Sequence, residues 1–329
     1  MRDGAHTRTR TAVGETSAAS RTAAAAEEFL MVLPSPAVTA AHVARWEEPF
    51  GKLLNVVSHQ VAGRMNPAWK SDAALEIAQT AALPRSDGTT WGTLPASNTL
   101  TVAELLIRTA LEHADAARTL LLLRPHSPMA IESLVRNALE AASQAWWLLE
   151  PDIGGRERVV RRLLLERASA AALEKSAASM GYTVTSDYGK TVADADKERA
   201  DLKVNDDPPA RDGSWLGSEG QRPLKYGPRV ALFMEQTGQD SPQGPYAFIS
   251  GTAHAELWRI RYAYAGHKDA TGANILMPHA SADFVRFAVS ACVDAVAQPA
   301  IRAFLWLGHG APLERLRSLR TPIREAMKP

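Results

Sequence analysis

Between Asn98 and Trp146 apolar residues return every three or four positions, and that period decides the fold class. Val102, Leu106, Ala110, His113, Ala117 and Leu120 lie on one face of a first helix, which breaks at Arg124-Pro125. Ser127 then offers an N-cap and Pro128 a first helical residue, so a second helix begins there. It places Ile131, Leu134, Val135, Ala138, Ala142 and Trp146 on one side and stops near Pro151. Two long helices joined by so short a connection are expected to run antiparallel.

Flanking segments extend the same pattern. A helix is predicted from Thr39 to Val61, followed by an irregular stretch through Pro67, Pro84 and Pro95 that holds a short helix capped by Ser71 and Asp72. After Gly154-Gly155 a third long helix carries Val159, Val160, Leu163 and Leu164 inward. Arg158, Arg161 and Arg162 are expected to point the other way, and Gly181 to end the helix. Further helices are predicted over 187–202, 229–236 and 246–257, with a long one from Ser281 to Trp306 and a basic terminal one from Pro312. Residues 258–276, with turn residues Asp269 and Gly272, allow either helix or a small hairpin. The predicted class is all-α: an up-and-down helical bundle with extra helices and room for one small β-hairpin. Its divisions are a disordered tail over 1–36, N-terminal helices and an irregular linker over 37–97, the bundle core over 98–308, and a basic C-terminal helix over 309–329.

The 329 residues carry a formal net charge of only +1, which excludes a general polycationic coat for nucleic acid. Cys292 is the single cysteine, so no intrachain disulfide and no cysteine-cluster metal site can form; a reducing cytoplasm suits it. Arg2, Arg8 and Arg10 imitate a basic leader, but the apolar stretch at Phe29 to Leu33 is short and follows Glu27 and Glu28. The Ala288–Leu307 segment is apolar, yet Asp294, Pro299 and Arg302 make a membrane span costly, and a buried, kinked helix is expected instead. No membrane association is therefore predicted.

Chemistry concentrates on the second helix. Arg136, Glu140, Ser143 and Trp147 form a stripe opposite its apolar face, and a Trp on that stripe implies that this side too is covered. Arg136 and Glu140 are then either a partly buried pair in a pocket or an ordinary ion pair at helical spacing. Ser250 and His254, four residues apart, share a helical face, and an imidazole beside such a pair could act as a general base or serve structure alone. His113, on the apolar side of its helix, is either a satisfied core histidine or a further ligand contact. No His pair has metal-binding spacing, and the glycines Gly213, Gly217 and Gly220 lead to Pro223 rather than to a phosphate-binding lysine, so neither metal nor cofactor is expected. The arginines between Arg156 and Arg167, and those between Arg315 and Arg324, are interspersed with Glu157, Glu166 and Glu314 and are expected on solvated helix faces.

The segment Leu134-Val-Arg136-Asn-Ala-Leu-Glu140-Ala-Ala, ending in Ala145-Trp-Trp-Leu-Leu-Glu-Pro151, and the later Tyr246-Ala-Phe-Ile-Ser250-Gly-Thr-Ala-His254 together resemble a set of bacterial all-helical proteins. These are similar to the HEPN (higher eukaryotes and prokaryotes nucleotide-binding) superfamily. The resemblance spans roughly residues 98–308 and implies a helical bundle with metal-independent RNA cleavage of toxin or defence type. It departs where catalysis matters. Catalytic members carry a His four to six residues after the Arg, and here Ala141 and Ala142 stand in that place. Arg261 and His267 have the spacing but Tyr262 follows the Arg. Either His254 supplies the acid/base group to Arg136 from another helix, or HEPN chemistry is lacking. The preferred expectation is a binding or regulatory module whose pocket is made by Arg136, Glu140, Ser250, His254 and His113. The ribonuclease, with Arg136 and His254 as its catalytic pair, is the alternative. An RNA or a protein partner and a homodimer remain open.

Overall fold

Nine helices and two short strands make up the described part of the chain. The computed structural model describes residues 40–123, 128–184, 190–204, 225–237, 246–247, 249–250, 264–268, 271, 274–278 and 281–326. The expected tail over 1–36, the glycine-rich loop and His254 lie outside these residues. In chain order the helices are α1 (Ala40–Arg64), α2 (Asp72–Ala81), α3 (Leu94–Leu123), α4 (Pro128–Leu148) and α5 (Gly154–Ser179). They continue as α6 (Val192–Asp201), α7 (Tyr226–Gln236), α8 (Ala282–Leu307) and α9 (Gly310–Ala326). Strands β1 (Tyr264–Lys268) and β2 (Asn274–Pro278) pair antiparallel, with Gly266 opposite Leu276. The described residues are predominantly helical, as the apolar period requires.

Helix α8 is the axis of the packing, touching α1, α2, α3, α4 and α9. It is long and apolar enough to cross a membrane, yet two thirds of its most apolar window is buried within this protein. Alanines at 288, 291, 295, 297, 300 and 303 keep its surface smooth, so neighbouring helices approach closely while Phe304, Trp306 and Leu307 fill the gaps. Helices α3 and α4 make the most extensive pairing in the fold, through Ala103, Ile107, Ala110, Ala114 and Ala117 on one side and Ile131, Val135, Ala138 and Ala142 on the other. A second, smaller core joins α5 to α6 through Val159, Val160, Leu163, Leu164 and Ala195, with Trp91 donating its indole N–H to the Leu202 carbonyl at 3.1 Å.

Several boundaries differ from the sequence reading for identifiable reasons. Helix α3 begins at Leu94, four residues early, because Pro95 falls in its first turn, where its missing N–H is no loss. Helices α1 and α9, from the two ends of the described chain, pack on each other and on α8. Helix α8 continues through Pro299 to Leu307 and ends on Gly308, whose φ of 76° allows the His309 N–H to reach the Phe304 carbonyl at 2.8 Å. The closure brings the chain against the segment before α2, where the Ala68 N–H bonds the Leu307 carbonyl.

The arginines of α5 overturn the expected solvated face. Arg158 and Arg162 are 2% and 0% exposed. Apolar periodicity assigned them outward because it measures hydrophobicity alone; α2 on one side and α6 on the other bring carboxylates that neutralise them. Arg320 and Arg324 of α9 likewise turn toward the buried Asp294 rather than to solvent alone.

Candidate functional site

Burial of a guanidinium demands compensation, so the inward arginines define where polar chemistry sits. Arg162 bonds Glu166 at 2.6 Å and Glu198 of α6, and Lys190 bonds the same two carboxylates, giving a closed set of two cations and two anions. Glu198 feels burial, which raises its pKa, but the hydrogen bonds and charges of Arg162 and Lys190 prevail and hold it below the ordinary carboxylate value. This cluster is self-contained and clamps α6 to α5.

The residues singled out on α4 form a second cluster. Arg136 Nε donates to Glu140 Oε1 at 2.7 Å, and the Tyr246 hydroxyl donates to the same oxygen at 2.8 Å. Burial and the Glu140 hydrogen bond push the Tyr246 pKa up, while Ser250, hydrogen-bonded to the phenol, pulls it the other way. For Arg136 burial lowers the pKa, but the Glu140 contact outweighs it and the net direction is upward. Arg136, Glu140 and Ser250 are thus brought together around Tyr246, a residue the sequence reading quoted without giving it a role. The two side chains of the pair are 20% and 18% exposed, and Ser143 is fully buried, so the second face of α4 is covered. Trp147 completes that face between the guanidinium groups of Arg161 and Arg229, at 4.8 and 5.4 Å from its ring centre. His113 sits half-buried on α3, with no hydrogen bond to this cluster among the described residues. His254 lies outside them.

A third group surrounds an open space. Helices α2, α5 and α8 and the turn after α4 line a half-open cavity of about 440 Å³. Its inner wall is Arg158, Arg302 and Trp306. Gly155 makes this possible: a Cβ there would come within 2.9 Å of the Glu76 carbonyl, so only glycine lets α5 start against α2. That approach puts Arg158 Nε 2.9 Å from Glu76 Oε2, while its Nη1 donates to the Leu148 carbonyl at 3.0 Å and its guanidinium lies 4.4 Å over the Trp306 ring.

Arg302 differs from Arg158 in having no carboxylate partner among the described residues. Its Nη1 donates to the Trp146 carbonyl at 2.8 Å and the guanidinium stacks 3.5 Å from the Trp146 ring centre. Burial, reinforced by the nearby Arg158 and Arg161 charges against Glu150, pushes its pKa down to about 10. It therefore remains a cation at neutral pH, and most of its five N–H donors are uncommitted. The buried Trp306 indole N–H also lacks an acceptor among the described residues. Exposed Asp72 and Asp152 stand at the outer edge, and Leu75, Leu149 and Leu305 supply apolar wall.

Sequence reasoning missed this site because its parts come from segments far apart in the chain. One signal was available: Arg302 is a lone cation inside an apolar helical run, four residues before Trp306, and such a residue needs a reason to be there. Among the described residues no group of three His, Cys, Asp or Glu side chains is placed to hold a metal ion. No family model, curated protein or solved structure matches the chain.

Proposed function

We propose that this protein is a helical binding module, without catalysis of its own, that takes a small polar ligand into the cavity between α2, α5 and α8. The observation that carries this reading is the unpaired Arg302 cation on the inner wall of a 440 Å³ space. Ligand pockets of a few hundred Å³ typically combine apolar walls with a few convergent polar groups, and this one does. We infer further that the long helices form an up-and-down bundle and that β1 and β2 are the two arms of a small hairpin. The Arg136–Glu140–Tyr246–Ser250 cluster has its strong donors and acceptors engaged with one another, and its part in this reading is to hold Tyr246 on α4.

The RNA-cleavage alternative requires Arg136 on a scissile phosphate. A guanidinium already neutralised by Glu140 at 2.7 Å is a weaker anion site than Arg302, which ranks binding first. The test is a thermal-shift screen of the full chain against amino acids, organic acids, nucleotides and phosphorylated sugars, with Arg302→Met beside the wild type. Stabilisation by one chemical class that disappears in Arg302→Met supports the binding module. No stabilisation by any class, with cleavage of labelled RNA by the wild type and none by Arg136→Ala, replaces it by the nuclease.

A further inference from the structure

We propose that the cavity of α2, α5 and α8 takes a zwitterion of amino-acid or dipeptide size, carboxylate inward on Arg302 and ammonium outward at Asp72 and Asp152. This rests on the binding reading above and deepens it by naming the ligand's chemistry.

The charges around the space are ordered by depth. Arg158 is paired with Glu76 and adds no net charge to the inner wall. Arg302, whose one hydrogen bond goes to a carbonyl, leaves a net positive charge there. A planar guanidinium fixed by stacking on Trp146 presents a rigid fork that matches a carboxylate. At the exposed edge the sign reverses. Asp72 opens α2 beside the Ser71 cap, and Asp152 sits in the left-handed turn after α4 with a φ of 64°. Neither has a cation partner among the described residues, so both are available to an ammonium group. The buried Leu149 and the exposed Leu75 and Leu305 also line the space and suit an aliphatic side chain. A simple anion would satisfy Arg302 but meet the carboxylates on entry, and a simple amine would meet Arg302 at the bottom.

The experiment is isothermal titration of the full chain with leucine and leucyl-leucine, each beside its N-acetyl derivative and its C-terminal amide. The free zwitterion is expected to bind at least about tenfold more tightly than either singly charged analogue, since each lost charge-assisted contact is worth roughly that factor. Arg302→Met should abolish the preference for acid over amide, and Asp72→Asn with Asp152→Asn the preference for free amine over acetylated. The analogue comparison uses only the wild type, so poor folding of a variant does not spoil it. An amide that binds as well as its acid, or an acetylated form that binds as well as its free amine, overturns the proposal. If none of these compounds binds while another class stabilises the protein in the screen, the zwitterion falls and the binding module stands. If nothing in either experiment binds, both fall.

Discussion

Gly308 shows what one residue without a side chain contributes. Its φ of 76° lies where an L-residue pays about 1 kcal/mol or more, and a Cβ there would lie 2.8 Å from the Ser71 Cβ. Gly308→Ala should therefore cost about 2 kcal/mol, read as a lower urea midpoint with an unchanged slope. The same substitution at Gly310, where a Cβ meets nothing within 4 Å, is the control and should be near neutral. Cys292 makes the opposite case, a reactive group silenced by its surroundings. Burial pushes its thiol up to about 12, so almost no thiolate exists at neutral pH. A thiol reagent added to the native protein should label it only as fast as the core opens. Labelling within seconds in the absence of denaturant would show that α8 is accessible.

Among elements, the α5–α6 contact joins buried ion pairs to an apolar core. Glu198 has a folded pKa below its ordinary value of 4.5, which makes the sign definite. The stabilisation is fully present above that ordinary value and is lost as pH falls through the lower, folded value. Stability should thus drop from about pH 4.5 downward, and Glu198→Gln should be less stable at pH 7 but show a shallower acid decline. Urea midpoints at several pH values for both proteins measure this; parallel declines would remove Glu198 from the account. Helix α9 is held by a different device: Arg320 and Arg324 both reach the buried Asp294 of α8, at 2.9 and 3.2 Å. Asp294→Asn keeps the shape and removes the charge, and should cost about 2 kcal/mol, the worth of hydrogen bonds to a charged group. A native-state protease should then cut within α9 more readily than in the wild type.

For the whole molecule, the helical class and most helix positions were legible because they rest on local period, on a cap such as Ser71 and on a first-turn proline such as Pro128. The covered second face of α4 was legible too, since Trp147 on a polar stripe has no stable place in water. Helical spacing put Arg136 beside Glu140, but it gave no role to the Tyr246 hydroxyl that bonds the same Glu140 oxygen. What period and composition could not give was the inward turn of Arg158, Arg162 and Arg302. Whether an arginine faces solvent or core depends on an acceptor arriving from elsewhere: Glu76 comes from α2, Glu198 from α6 and the Trp146 carbonyl from α4. Local sequence determines the secondary structure because a helix is satisfied by hydrogen bonds within its own segment. The cavity, its inner cation and its outer carboxylates were decided only by tertiary structure, because burying a charge is a bargain between segments far apart in the chain.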